Sequence, residues 1–189
     1  MNRKGCLIAA AVLVGLVAIA VVHAIGTYNR MTSLDESANN AWANVDTVLQ
    51  RRYDLIPNLV ATVKGYAAHE KGILEEVTRL RSQWGSAETA AARAQVAGQM
   101  EGALARLMLV AEQYPDLKAN QNFMALQDEL SGTENRVSVE RRRFNEAIQV
   151  YNTTIRRFPA RLYAGMFGFE RRAPFEAAAE AREAPKVQF

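Results

Sequence analysis

Apolar positions along this chain follow two rules, and the change from one to the other divides it. From Cys6 to Ile25 they are uninterrupted: twenty residues carry no formal charge and only His23 is polar. At about 1.5 Å per residue the run spans ~30 Å, the thickness of a bilayer core, and so predicts a transmembrane helix. From Tyr28 onward apolar residues recur at steps of three and four, the period of an amphipathic helix. Only Gly26 separates the two regimes, so the anchor should run almost directly into the first amphipathic helix, with any bend at Gly26.

The periodic part predicts four helices. The first, 28–52, carries Met31, Leu34, Ala38, Trp42, Val45 and Leu49 on one face. A corner follows. Arg51 and Arg52 suit a helix C-terminus, Asp54 is a good N-cap, and Pro57 falls in the next helix's first turn, where its missing N–H is no loss. The alternative is one long helix kinked at Pro57. The second helix, 55–83, has a face running from Ile56 to Trp84, after which Gly85 supplies a stop and Ser86 an N-cap. The third, 87–114, starts alanine-rich, sharpens to Met100, Leu104 and Leu107, and ends at Pro115. The fourth, 120–157, has the most regular stripe, including Phe123, Leu130, Val137, Phe144, Ile148, Tyr151 and Ile155, with Asn120 as its cap and Pro159 as its close.

The expected fold is all-α, an N-terminal transmembrane helix continuing into an antiparallel up-down-up-down four-helix bundle. The expected domains are a basic head and anchor (1–27), the bundle (28–158), a basic aromatic segment (159–175) and a polar tail (176–189). The fourth helix is much longer than the extramembrane part of the first, so its surplus must tilt, protrude or meet the membrane surface.

Charge changes this picture little. The chain has 189 residues and a net charge of +3, too weak a balance to argue for nucleic acid as a partner. Cys6 lies at the start of the apolar run, whereas a lipid-modified cysteine would follow one. A cleavable signal peptide ending near Val22-His23-Ala24 is the rival to a retained anchor; the length of the run favours the anchor. Arg3 and Lys4 before the span, against Arg30 just after it, lean the bundle to the extracytoplasmic side.

Two groups of residues invite functional readings. Around the end of the fourth helix, Arg156, Arg157, Phe158, Arg161, Tyr163, Phe167, Phe169, Arg171 and Arg172 mix basic and large apolar side chains. Such a mixture suits a headgroup interface; it equally suits the base of the bundle or a neighbouring protomer's groove. Within the stripes, Glu36, Glu70, Glu134 and Arg141 suggest a polar core layer. Carboxylate layers in bundles bind metal when paired with Glu-x-x-His motifs. None exists here, and His69-Glu70 has the wrong spacing for a zinc site. The expectation is therefore no metal, no cofactor and no catalytic site, with Arg141 or Arg52 answering a glutamate and fixing helix register.

The motifs AWANVDTVLQRRYDLIPNLVATVKGYAAHE, EQYPDLKANQNFMALQDELSGTEN and YNTTIRRFPARLYAGMFGF resemble the LemA family, and the likeness covers nearly the whole chain. Phe144-Asn145 stands where the family often has Tyr-Asn. The resemblance implies a bacterial single-pass membrane protein with a helical-bundle domain. It also implies membrane shaping or scaffolding, since some members act in magnetosome membrane formation. The leading expectation is a structural protein, not an enzyme, that contacts membrane lipid, self-associates and organises a bacterial membrane. The small residues Ala9, Ala10, Ala11, Gly15 and Ala18 allow close packing of anchors. The alternatives are a non-oligomeric adaptor regulating another membrane protein and, third, a metal- or carboxylate-dependent enzyme.

Overall fold

The computed structural model describes residues 3–175, so the tail expected at 176–189 lies outside the described residues. Six helices follow in order: α1 (Arg3–Tyr66), α2 (Lys71–Ser86), α3 (Ala90–Ala111), α4 (Pro115–Lys118), α5 (Gln121–Arg156) and α6 (Ala160–Phe167). There is no strand among the described residues. The chain divides into two compact units: Met1–Asn40 with Glu146–Arg172, and Ala41–Asn145 with Ala173–Phe189.

The expected corner at Arg51, Arg52, Asp54 and Pro57 is not a corner. All four lie inside α1, which is one helix of 64 residues from the anchor to Tyr66. The buried stripe explains why. Val45, Leu49, Tyr53, Ile56, Leu59, Val63 and Ala67 follow one another at steps of three and four without a change of phase. A proline in mid-helix leaves the carbonyl four residues earlier without its N–H donor. Here that carbonyl belongs to Tyr53, and the Arg81 side chain of α2 donates to it through Nε at 3.4 Å. The chain turns instead at 67–70, where Ala67 N–H bonds the Val63 carbonyl at 2.8 Å and Glu70 N–H bonds that of Ala67 at 3.1 Å.

Replacing Pro57 with alanine restores the missing donor and should stabilise the full-length protein in detergent by about 1 kcal/mol or more, given the ~3 kcal/mol helix penalty of proline. Arg81→Ala should then cost less in the Pro57→Ala background than in the native one. Equal losses in a double-mutant cycle would disprove the link between the two residues.

Two further boundaries move. Gly85 and Ser86 are the last two residues of α2, so Ser86 does not cap the next helix. The cap of α3 is Thr89, whose hydroxyl accepts from Ala92 N–H at 3.1 Å. Asn120 does cap the fourth long segment: its Oδ1 accepts from the N–H groups of Asn122 and Phe123 at 2.9 and 3.1 Å.

In the unit containing Ala41–Asn145, α1 meets α2 where Tyr53 stacks on Trp84, the two lying equally far from the turn at 67–70. Arg106 of α3 pairs with Glu76 of α2, and Arg93 of α3 pairs with Asp46 of α1. Arg51 pairs with Glu129 of α5, and Trp42 packs edge-on against Phe144.

In the unit containing Glu146–Arg172, the core is Met31, Tyr151, Ile155, Ala160 and Ala164, with Leu34, Tyr163 and Phe169 packed against it. The surplus length expected of the fourth helix is thus used: the end of α5 and one side of α6 pack on α1 around Met31 and Leu34. Gly168 closes α6 in the left-handed conformation, φ +74°, and Phe169 N–H bonds the Ala164 carbonyl at 2.9 Å.

Candidate functional site

The expected polar layer is only partly assembled. Arg52 is 7 % exposed. Its Nη1 pairs with Glu134 Oε2 and lies 3.9 Å from Glu101 Oε1. Arg141 Nη2 pairs with that same Glu101 oxygen. Two guanidinium groups and two carboxylates therefore compensate one another across α1, α3 and α5. Arg141 also lies over the Phe175 ring, 4.4 Å from its centroid. Burial, and then the charge of Arg52, pull the Arg141 pKa down to about 10, so it remains a cation at neutral pH.

Beside these charges the Tyr53 hydroxyl is buried and has no hydrogen-bond partner among the described residues. Burial holds its pKa well above the usual tyrosine range, against the opposing pull of Arg52 and Arg141. The ring stacks on Trp84 at 4.3 Å and 12°. Arg93 lies 5.1 Å from the Trp84 centroid and is held by both Asp46 oxygens at 2.7 Å. A compensated, partly buried cluster of this kind adds little net stability.

Glu36 and Glu70 do not join it. Glu36 is exposed, and Glu70 precedes α2 and accepts from the Tyr114 hydroxyl at 3.2 Å. No group of three His, Cys, Asp or Glu side chains is placed to share a metal ion among the described residues. Glu101 takes the place expected of those two glutamates. It sits on the line Ala97, Glu101, Leu104, a signal that was readable once the alanine-rich start of α3 was set aside.

The basic aromatic segment divides into two faces. Tyr163 and Phe169 are partly buried and Phe167 is 43 % exposed: Tyr163 lies 6.1 Å from His23 between ring centroids, and Phe167 and Phe169 meet Tyr28 edge-on at 5.0 and 5.7 Å. Arg172 is bound internally as well. It reaches Asn39 Oδ1 at 2.6 Å and Asp35 Oδ2 at 2.9 Å, and it faces the Tyr151 ring. Arg156, Arg157, Phe158, Arg161 and Arg171 stay exposed. Leu162 and Met166 are exposed with Phe158.

Within α1, the large apolar side chains from Leu7 to Ile25 are exposed, and α1 is the one helix among the described residues long and apolar enough to cross a membrane. These features define an all-helical protein with a single candidate span, consistent with a membrane protein. The chain belongs to the LemA family, whose pattern it matches over residues 41–189. It is 27 % identical over 188 residues to magnetosome protein MamQ 2 of Paramagnetospirillum magneticum, covering 84 % of this chain and 69 % of that protein. Magnetosome protein MamQ of Magnetospirillum gryphiswaldense is 26 % identical over 170 residues, with coverages of 76 % and 62 %. Protein LemA of Metamycoplasma hominis is 23 % identical over 135 residues, with coverages of 71 % and 62 %.

Proposed function

We propose that this protein is a membrane-anchored helical scaffold that self-associates and organises or shapes a bacterial membrane. The observation that carries the reading is the unbroken α1, in which an exposed apolar span and an amphipathic helix form one element with no linker. Two relatives named as magnetosome proteins support it. In this reading the segments of α1, α2, α3 and α5 in the unit containing Ala41–Asn145 make an antiparallel bundle. The side-chain pairs described above fit that arrangement, since Arg93 and Glu101 meet α1 in ascending order and Glu134 and Phe144 meet it in descending order. The partners are membrane lipid, further copies of the chain and another membrane protein; the reading needs no catalysis, cofactor or nucleic acid.

A retained anchor agrees with the position of His23, which packs against Tyr163 in mid-helix. Orientation is drawn in two directions. The flanking charges, Arg3 and Lys4 against Arg30, favour the extracytoplasmic side for the bundle. The exposed arginines beside and on α6, which meets His23 through Tyr163, favour the anionic cytoplasmic leaflet. Labelling of Glu36→Cys in intact cells, in a Cys6→Ser background, decides between them.

The self-association reading is tested by the mass and shape of the full-length protein in mild detergent, by light scattering and electron microscopy. A large, regular particle is expected. A monomer or dimer at all concentrations would overturn the scaffold in favour of the adaptor.

A further inference from the structure

We propose that α6 is an in-plane membrane helix, whose outer stripe enters the headgroup boundary of the bilayer that holds the anchor. The proposal rests on the membrane placement above and names the surface that meets the lipid.

Phe158, Leu162 and Met166 lie four residues apart and are 82 %, 63 % and 76 % exposed. Four-residue spacing puts Leu162 and Met166 on one side of α6, and Phe158 lies two residues before the helix begins. Arg161 adjoins this side of α6, Arg157 lies just before the helix, and both are exposed. The opposite face is already used, because Ala160 and Ala164 are buried against Met31, Tyr151 and Ile155. An eight-residue helix does not persist on its own, and this one is fastened at its far end. Tyr151 donates to the Glu170 carbonyl at 2.9 Å, and Asn152 bonds both main-chain groups of Arg172. A short helix is thus held in place with three large apolar side chains facing outward.

The occupant follows from where the helix is fastened. Tyr163 and Phe167 touch His23 and Tyr28. His23 belongs to the apolar run and Tyr28 lies one turn past its last residue, Ile25. The stripe is therefore continuous with the lipid-facing surface of α1, at the depth where hydrocarbon gives way to headgroups. Basic residues beside an apolar stripe suit that boundary and favour anionic lipid, as in interfacial amphipathic helices buried roughly 5–10 Å deep.

The test uses the full-length protein with its lone cysteine replaced, Cys6→Ser, and Leu162→Cys carrying an environment-sensitive fluorophore. It is placed in nanodiscs of phosphatidylcholine with phosphatidylglycerol, one copy per disc. A label on Glu36→Cys, exposed and three turns beyond the apolar run, serves as reference. The expected result is blue-shifted emission at position 162, quenched roughly twofold or more by spin-labelled lipid, and weaker when the anionic lipid is omitted. Quenching no greater than at position 36 overturns the proposal. So does a shift seen only with two copies per disc, which would mean that a second protomer covers the stripe. Particle mass is read separately, so a failed scaffold and a failed lipid contact are told apart.

Discussion

Replacing Tyr53 with alanine should lower the unfolding free energy of the full-length protein by about 3–5 kcal/mol, the range for removing a large aromatic side chain from a core. The ring is 2 % exposed and stacks face to face on Trp84, itself 5 % exposed. Its loss empties a space between α1 and α2 and frees one face of an indole that Arg93 and Asp46 hold in place. At this chain length the melting temperature should fall by roughly 10 °C. Tyr53→Phe should do the reverse. It keeps the stack and removes a buried hydroxyl that lacks a partner, and so should be neutral or stabilising by up to about 1 kcal/mol. A Tyr53→Ala loss below about 1 kcal/mol by near-ultraviolet circular dichroism would refute the structural importance of the stack.

The same hydroxyl sets a response to alkali. The ordinary tyrosine value is 10.0 and the folded value is higher. Above pH 10 the unfolded chain gives up this proton while the folded chain keeps it. The folded state then binds more protons, and stability falls as pH rises. Arg141 acts in the opposite sense over the same interval, because its folded pKa of about 10 lies below the ordinary 12.5. The unfolded chain holds that proton longer, which raises stability with pH. Comparing wild type with Tyr53→Phe isolates the tyrosine: the variant should lose less stability between about pH 9 and pH 11. Identical slopes would show that Tyr53 ionises as freely in the fold as outside it.

Particular residues show what the sequence could and could not reveal. The apolar run and the heptad-like stripe from Phe123 to Ile155 were legible, because each is decided by the residues themselves; α5, Gln121–Arg156, matches the expected 120–157 closely. Pro57 was misread because its effect depends on a distant partner. Without Arg81 to bond the Tyr53 carbonyl it would be a plausible boundary, and Arg81 lies 28 residues away. The true turn, Ala67 to Glu70, has no proline and is flagged only by Gly65 and Gly72 on either side. Arg52 answering a glutamate was foreseen. Which glutamates was not: Glu36 is exposed on α1, and Glu70 lies in the turn before α2. The partners of Asn145 and Asn152 were not legible for another reason: they are main-chain groups, which carry no sequence signal.

Removing the Asn152 carboxamide should release the segment that positions α6. The Nδ2 of this residue donates to the Arg172 carbonyl at 2.8 Å, and its Oδ1 accepts from the Arg172 N–H at 3.0 Å. One side chain thus satisfies both main-chain groups of a residue outside any helix, much as a neighbouring strand would. Asn145 does the same for Phe175, at 3.0 and 2.7 Å. Asn152→Ala leaves a donor and an acceptor without partners, a loss of about 1–3 kcal/mol. If the loss falls on local opening, the Arg172 amide should exchange with solvent roughly 10- to 100-fold faster, at 1.4 kcal/mol per tenfold. Asn152→Asp keeps the acceptor for that N–H but turns an oxygen toward the Arg172 carbonyl, so its amide should exchange at an intermediate rate. The side chain of Arg172 resists release through Asp35 and Asn39. Asn152→Ala combined with Asp35→Asn should therefore open the segment further than either change alone. Unchanged exchange at Arg172 in Asn152→Ala would mean that the ion pair alone holds the segment. Faster exchange, joined by loss of lipid quenching at position 162, would show that this carboxamide keeps the outer stripe of α6 facing the membrane.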